Sequence, residues 1–269
     1  MTVNDRAPAR HADARRHRAQ ASVAVTLETH CEYVRSLHDH HPGALLAPPF
    51  YLNGWRAFNA HPELKRDCPA PYFMEDVDLT ADIMQQIDEQ VFRRARPAGG
   101  QAPSDGAVST PWYANAVAAM SKLFLGPAGT VTRLHYDAVD AHGWLAQVVG
   151  TKLFVLFPPS DTHALAPIPG ETETVQSEVD PLACACGATD WPPGATPHVC
   201  VLSPGEAIVI PRGWWHYAAA LDTSLTAQHN FYTEHNAAAL AEMIVRKLRV
   251  QKAGGQKPAG ITERQQYEG

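Results

Sequence analysis

Nowhere does the sequence hold an apolar run approaching the length of a membrane span, so no transmembrane helix is expected. No apolar segment near the start reads as a secretory leader, and the five cysteines, Cys31, Cys68, Cys184, Cys186 and Cys200, are odd in number and scattered. A disulfide framework is therefore not expected; free thiols in a cytoplasmic protein are. Basic charge is scarce as well, with 22 Lys and Arg against 28 Asp and Glu, a net charge of −6, and no basic stripe beyond the N-terminal arm. That balance argues against nucleic acid as the main partner. There is also no internal repeat of the kind that marks a solenoid or propeller.

What is present is enough for one main domain: 269 residues, 45% of them hydrophobic. Residues 1–21, including "RHADARRHRAQ", mix Arg, His and Ala without apolar periodicity and read as a disordered basic arm. Residues 251–269 read as a disordered polar tail. Helical spacing is expected over Val25 to Leu37, and in "LTADIMQQIDEQVFRR", where Ile83, Ile87 and Val91 recur and Thr80 is placed to cap the start. A C-terminal helix over 235–250 carries Leu240, Met243, Ile244 and Leu248 on one stripe, a candidate surface for a homodimer. From Lys122 to Tyr232 short apolar runs alternate with turns, which predicts a β-sandwich or barrel flanked by helices within a domain spanning 22–234. One segment, 167–198, rich in Pro, Gly and acidic residues, is too long for an ordinary hairpin connection and is expected to form a lid-like insert.

The stretch "VTRLHYDAVD" poses the chemical question. Side chains at i and i+2 of a strand share a face, so His135 and Asp137 point the same way while Tyr136 turns to the other side. Burying such groups is costly unless they are paired, hydrogen-bonded or bound to a metal. A His–Asp hydrogen bond within a sheet would answer this for an isolated pair. The later run "PRGWWHYAAAL" adds His216 on another strand in an apolar setting. Together the three make a two-histidine, one-carboxylate face, which leaves positions open on iron(II).

The order HxD, "AQVVGTKLFVLFPP", "PGEAIVIPRGWWH" and "NFY" resembles the JmjC/cupin-type oxygenases that use Fe(II) and 2-oxoglutarate. It looks most like the subgroup containing the asparaginyl hydroxylase of the hypoxia response and small bacterial hydroxylases. The likeness covers roughly Pro48 to Tyr232 and is densest after Thr130. It implies a mainly β double-stranded β-helix, or jelly-roll, barrel with flanking α-helices. It also implies that His135, Asp137 and His216 ligate the iron and form the catalytic centre, and that Thr132, Lys152 and Tyr51 hold the far carboxylate of 2-oxoglutarate. Asn230 matches a polar residue near the metal, counted with the cosubstrate site, and Asn53 in "FYLNG" a pocket neighbour. Gln176 falls where a relative holds its substrate amide. The segment "DAHGWLAQ" departs from the family in lacking an asparagine and in being two residues longer than in that relative; His142 and Trp144 are the expected substrate-facing residues there. Independently of the family, a lysine inside the apolar strand "TKLFVLF" is expensive unless it meets a buried anion.

The resemblance implies hydroxylation of a C–H bond of a small molecule, amino acid or peptide side chain, with O2 consumed and succinate and CO2 released. The alternatives are a metal-dependent cupin enzyme, an isomerase or dioxygenase that ignores 2-oxoglutarate and would not need Lys152 and Thr132, and a non-catalytic metal-binding barrel, against which all three ligand types being intact argues. Cys184, Cys186, His198 and Cys200 flank the insert and form a possible four-ligand structural zinc set.

Overall fold

The computed structural model describes residues 2–5, 22–38, 49–93, 112–137, 139–168 and 174–253. Strands β1 (Thr2–Asp5), β2 (Ser22–Ala24) and β3 (Phe50–Trp55) precede eight longer apolar runs and one short strand. These are β4 (Ser121–Gly126), β5 (Val131–Asp137), β6 (His142–Val149), β7 (Lys152–Phe157), the short β8 (Thr174–Gln176), β9 (His198–Leu202), β10 (Ala207–Ile210), β11 (Trp215–Ala220) and β12 (Ser224–Phe231). The "SPGE" and "PRG" turns that separate β9, β10 and β11 contain Gly205 and Gly213 at φ +88° and +73°, a region that favours glycine.

The strands form a seven-stranded sheet, order β10-β6-β12-β4-β3-β1-β2, and a five-stranded sheet, order β8-β5-β11-β7-β9. The pairings are antiparallel. If β8 is set aside and the strands from β4 onward are taken in order, the first, eighth, third and sixth lie together in one sheet and the second, seventh, fourth and fifth in the other. Two interleaved Greek keys with that order make a jelly roll. The barrel expected from the sequence is therefore present.

Between the sheets, Phe154, Leu156, Leu202, Ile210 and Ala218 pack with Leu145 and Ile208. The alternate residues of the smaller sheet, among them Leu134, Val155, Phe157, Trp215 and Tyr217, bury a second cluster on its outer face. The described part of the 167–198 segment lies over that outer face: Val175, Val179, Trp191 and Ala195 pack on the cluster, and β8 pairs with β5. Asp180 caps the short helix inside this segment by accepting from the Leu182 and Ala183 amides.

Helices α1 (Leu27–His38), α2 (Ala57–Ala60), α3 (Leu64–Asp67), α4 (Thr80–Ile87), α5 (Trp112–Ala118), α6 (Pro181–Ala185) and α7 (Ala237–Ala253) flank the barrel. Leu240 and Ile244 of α7 are buried against Met84 and Ile87 of α4, Ala116 of α5 and Tyr232, with Met243 partly buried beside them. Each such side chain contributes about 1.5–3 kcal/mol by leaving water. The apolar stripe considered for a homodimer is thus engaged within the chain at these three positions. The start of α4 differs from expectation. Thr80 does not cap the helix: its amide donates to Asp78 Oδ1 at 3.0 Å, and its hydroxyl accepts from the Tyr232 amide at 2.9 Å.

Thr2–Asp5, inside the arm expected to be disordered, pair with β2 and β3. Residues 6–21 of the arm and 254–269 of the tail lie outside the described residues. None of the described helices is long and apolar enough to cross a membrane.

Candidate metal centre

His135 and Asp137 share one face near the end of β5, and the register sets His216 of β11 opposite His135. One ligand atom from each of His135, Asp137 and His216 lies within 4.8 Å of the others, the only such His/Cys/Asp/Glu group among the described residues. Backbone carbonyls fix the imidazole tautomers. His135 Nδ1 is 2.7 Å from the Arg133 carbonyl and His216 Nδ1 is 3.1 Å from that of Trp214. A carbonyl only accepts, so each Nδ1 carries the proton and each Nε2 keeps the lone pair that a metal would take.

The third donor is oriented as firmly. Asn230 Nδ2 donates to Asp137 Oδ2 at 2.7 Å. Burial alone would raise the Asp137 pKa, but the charges His216 and His135 carry when protonated in the metal-free site, the Asn230 hydrogen bond and the Lys122 charge outweigh it and hold the carboxyl below its ordinary value of 3.8. A deprotonated carboxylate beside two imidazole lone pairs on one sheet face is a donor set that fits iron(II). Between β5 and β6 the chain turns through Val139 and Asp140. Val139 and Asp140 sit at φ +63° and +58°. Tyr232 Oη donates to the Val139 carbonyl at 3.2 Å, Asn236 Nδ2 donates to the Asp140 carbonyl at 2.7 Å, and Arg212 pairs with the Asp140 carboxylate. Backbone held in this region costs on the order of 1–3 kcal/mol per residue and persists only where neighbours over-determine it.

Thr132 is three residues before His135, a spacing that in a regular strand puts the two on opposite faces. A β-bulge resolves the conflict. His216 pairs with His135 while Ala218 pairs with Thr132, so three steps along β5 match two along β11. The extra residue brings Thr132 onto the face of His135.

Lys152, 3% exposed, is on the same inner face of the smaller sheet, opposite Ala220. Its Nζ donates to Tyr51 Oη at 3.3 Å and to Thr226 Oγ1 at 2.8 Å, and lies 5.6 and 5.7 Å from the centres of the Tyr51 and Phe124 rings. Thr226 in turn donates to Gln147 Oε1 at 2.8 Å. Tyr51 and Asn53 point inward from β3, and Gln176 of β8 stands opposite His135. Sequence reasoning missed Thr226, Gln147, Gln228 and Lys122. The signal was available for β12, where polar Thr226, Gln228 and Asn230 alternate with Ala227 and His229.

Two expected substrate residues are not brought to the metal. Leu145 and Gln147 occupy the inner face of β6, so His142 and Trp144 lie on its outer face. There His142 stacks on Phe231 at 5.2 Å and accepts from the Arg212 amide, and Trp144 is buried with Met74, Ala227 and Phe231. The zinc set also fails to assemble. Cys184 Sγ is buried against Thr189 Oγ1 and the Asp190 carbonyl, exposed Cys186 bonds the Ala183 carbonyl, and His198 and Cys200 run along β9, where Cys200 packs in the inner core. No metal-holding group among the described residues includes any of the four.

A cupin-like domain model matches residues 3–237 of the chain. The chain belongs to the cupin-like family. Over 127 residues this cupin-like protein is 32% identical to lysine-specific demethylase 8 of Xenopus tropicalis, covering 47% of the chain and 26% of that relative. It is 33% identical over 132 residues to HSPB1-associated protein 1 of Mus musculus, covering 48% and 27%. Against the Jumonji C domain-containing protein 5 of Drosophila melanogaster it is 36% identical over 103 residues, covering 36% and 23%. The chain thus spans about a quarter of the length of these relatives.

Proposed function

We propose that this cupin-like protein is an Fe(II)- and 2-oxoglutarate-dependent oxygenase that hydroxylates a C–H bond of a small molecule, amino acid or peptide side chain, releasing succinate and CO2. The observation that carries the reading is Lys152: a cation, 3% exposed, whose hydrogen bonds to described residues all go to neutral groups. A buried ammonium without a counter-charge is costly, and an anionic cosubstrate answers it.

The placement suits a dicarboxylic keto acid. Ala220, the partner of Lys152, is four residues along β11 from His216, roughly 13 Å of strand. A lysine side chain and a short dicarboxylate can fill that interval, with one carboxylate on Lys152 and the keto-acid end at the His135, Asp137 and His216 face. Tyr51, Thr226 and Thr132 supply hydroxyls along the way. The inner apolar cluster, with Phe154, Leu156 and Ile210, keeps bulk water from the site. Iron, when bound there, supplies the activation of dioxygen and the oxidative decarboxylation of the cosubstrate. Names of relatives that include a lysine-specific demethylase and an arginine-specific demethylase favour oxidation at carbon over isomerisation.

Calorimetry of 2-oxoglutarate into metal-loaded protein tests the reading, together with an assay for succinate. Binding that requires the divalent metal, and slow succinate release with Fe(II) and O2, are expected. Absence of 2-oxoglutarate binding at millimolar concentration overturns the proposal and leaves only a metal-binding barrel.

A further inference from the structure

The inner face of β12 and β4 holds an acceptor and a cation that the cosubstrate reading leaves without work. Ionised Asp137 can only accept, so Asn230 must turn its Nδ2 to it, which leaves Asn230 Oδ1 facing Gln228. Gln228 must therefore present Nε2, and does so at 2.8 Å. The carboxylate thus dictates the orientation of both amides. What remains is Gln228 Oε1, which is buried and has no hydrogen-bond partner, on a residue only 7% exposed. An unpaired buried acceptor is costly unless a ligand supplies a donor. Gly143, opposite Asn230 on β6, places no side chain over the two amides.

Lys122 is the register partner of Gln228 on β4 and shares its inner face. Its ammonium is close enough to Asp137 to favour that carboxylate's charge, yet no hydrogen bond or ion pair joins it to a described residue. It stands one inward position nearer the metal ligands than Phe124 and Thr226, the level at which Lys152 is held. A keto acid bound by Lys152 at one end and by the metal at the other has no third charge to offer Lys122. Asn53, inward-facing on β3 beside Phe124, completes this polar wall.

We propose that Lys122, Gln228 and Asn53 form the subsite for the substrate to be oxidised, with Lys122 taking a carboxylate and Gln228 Oε1 accepting from a neighbouring N–H. The substrate class is a free α-amino acid, its carboxylate on Lys122. This assignment rests on the oxygenase reading for its role in the reaction, whereas the binding itself can be judged separately.

The test uses full-length protein loaded with Mn(II), titrated by calorimetry with the free amino acids and their carboxamides, with and without N-oxalylglycine, an unreactive analogue of 2-oxoglutarate. At least one amino acid is expected to bind wild type about tenfold or more tightly than its carboxamide. Lys122→Met erases that preference, Lys122→Arg retains it, and N-oxalylglycine binds all three proteins alike. If acid and carboxamide bind alike, or no amino acid binds the Mn(II)-loaded wild type, the subsite is wrong. If Lys122→Met weakens N-oxalylglycine in step with the acid, Lys122 belongs to the cosubstrate; the subsite is overturned and the oxygenase reading stands. Failure of N-oxalylglycine to bind wild type counts against the oxygenase reading alone, because titration without it still decides the subsite.

Discussion

His216 stands directly across the ladder from His135, with ring centroids 4.1 Å apart. Both imidazoles come from adjacent strands of one sheet, so their spacing depends on backbone pairing. Replacing His216 with alanine leaves the two donors on β5 and should abolish stoichiometric divalent-metal binding, while the metal-free variant unfolds in one cooperative step. Calorimetry with Mn(II) and a thermal melt check both halves. Wild-type metal occupancy in the variant would falsify the triad.

Lys152→Met removes the cation at the floor of the barrel while keeping most of its volume. A buried anion deprived of its cation typically costs about 2–5 kcal/mol, so 2-oxoglutarate affinity should fall roughly 30-fold to several-thousand-fold with metal binding intact. Thr226→Val, which removes one hydroxyl from the same cluster, should cost about 0.5–1.5 kcal/mol. An unchanged cosubstrate affinity in Lys152→Met would remove the lysine from the pocket.

Gly126 is required by a close approach. A Cβ there would lie 2.7 Å from Tyr51 Cδ2 and 2.9 Å from the Thr130 side chain, both on buried residues. Gly126→Ala should destabilise the protein by about 1–3 kcal/mol through overpacking. Because Tyr51, whose hydroxyl accepts from Lys152, is displaced by that clash, the substitution should also weaken 2-oxoglutarate binding. Urea unfolding and calorimetry on one preparation measure the two effects; stability loss with unaltered binding would mean that Tyr51 does not hold the cosubstrate.

Asp78 ties the start of α4 to the barrel, with Oδ2 3.1 Å from His229 Nε2 and Oδ1 accepting from the Thr80 amide. Burial alone would raise its pKa, but hydrogen bonds from His229 and Thr80, with the His229 charge, hold it below the ordinary value of 3.8. A carboxyl with a depressed folded pKa stabilises the fold fully above its unfolded pKa, and that contribution is lost as pH falls through the folded value. Wild type should therefore be more stable than Asp78→Asn at about pH 6, with the gap closing as the pH falls below the ordinary carboxyl value of 3.8 and the carboxyl becomes protonated. A gap that stays constant through the acid range below 3.8 would show that the carboxylate's charge contributes nothing.

Much of the site could be read from short-range spacing. The period of two in β5 placed His135 and Asp137 together, and a lysine inside "TKLFVLF" announced a buried cation. Thr132 was assigned by resemblance alone, since the bulge that turns it inward depends on pairing with β11, which no local pattern encodes. His142 and Trp144 were misplaced because β6 has apolar residues on both faces, and only its contacts with β12 and β10 decide which face looks inward. Thr80 has the residue type of a helix cap, but its hydroxyl is claimed by the Tyr232 amide, 152 residues further along the chain. The Cys and His pairs around the insert resemble zinc spacing, yet β9 holds His198 and Cys200 in a ladder with β7, away from the bonds that hold Cys184 and Cys186.

The crossing of β11 onto β5 also sets a timetable for synthesis. His216 follows His135 by roughly 80 residues, which at 5–20 residues per second amounts to on the order of 4–16 s of translation. Throughout that interval the emerging chain displays His135 and Asp137 on a strand whose neighbour β11 has not yet been made, and β8 follows only about halfway through it. Asn230, which orients the carboxylate, arrives later still. All three donors can therefore meet a metal only once β11 has been made, and a chain that stalls before β11 carries at most two of them.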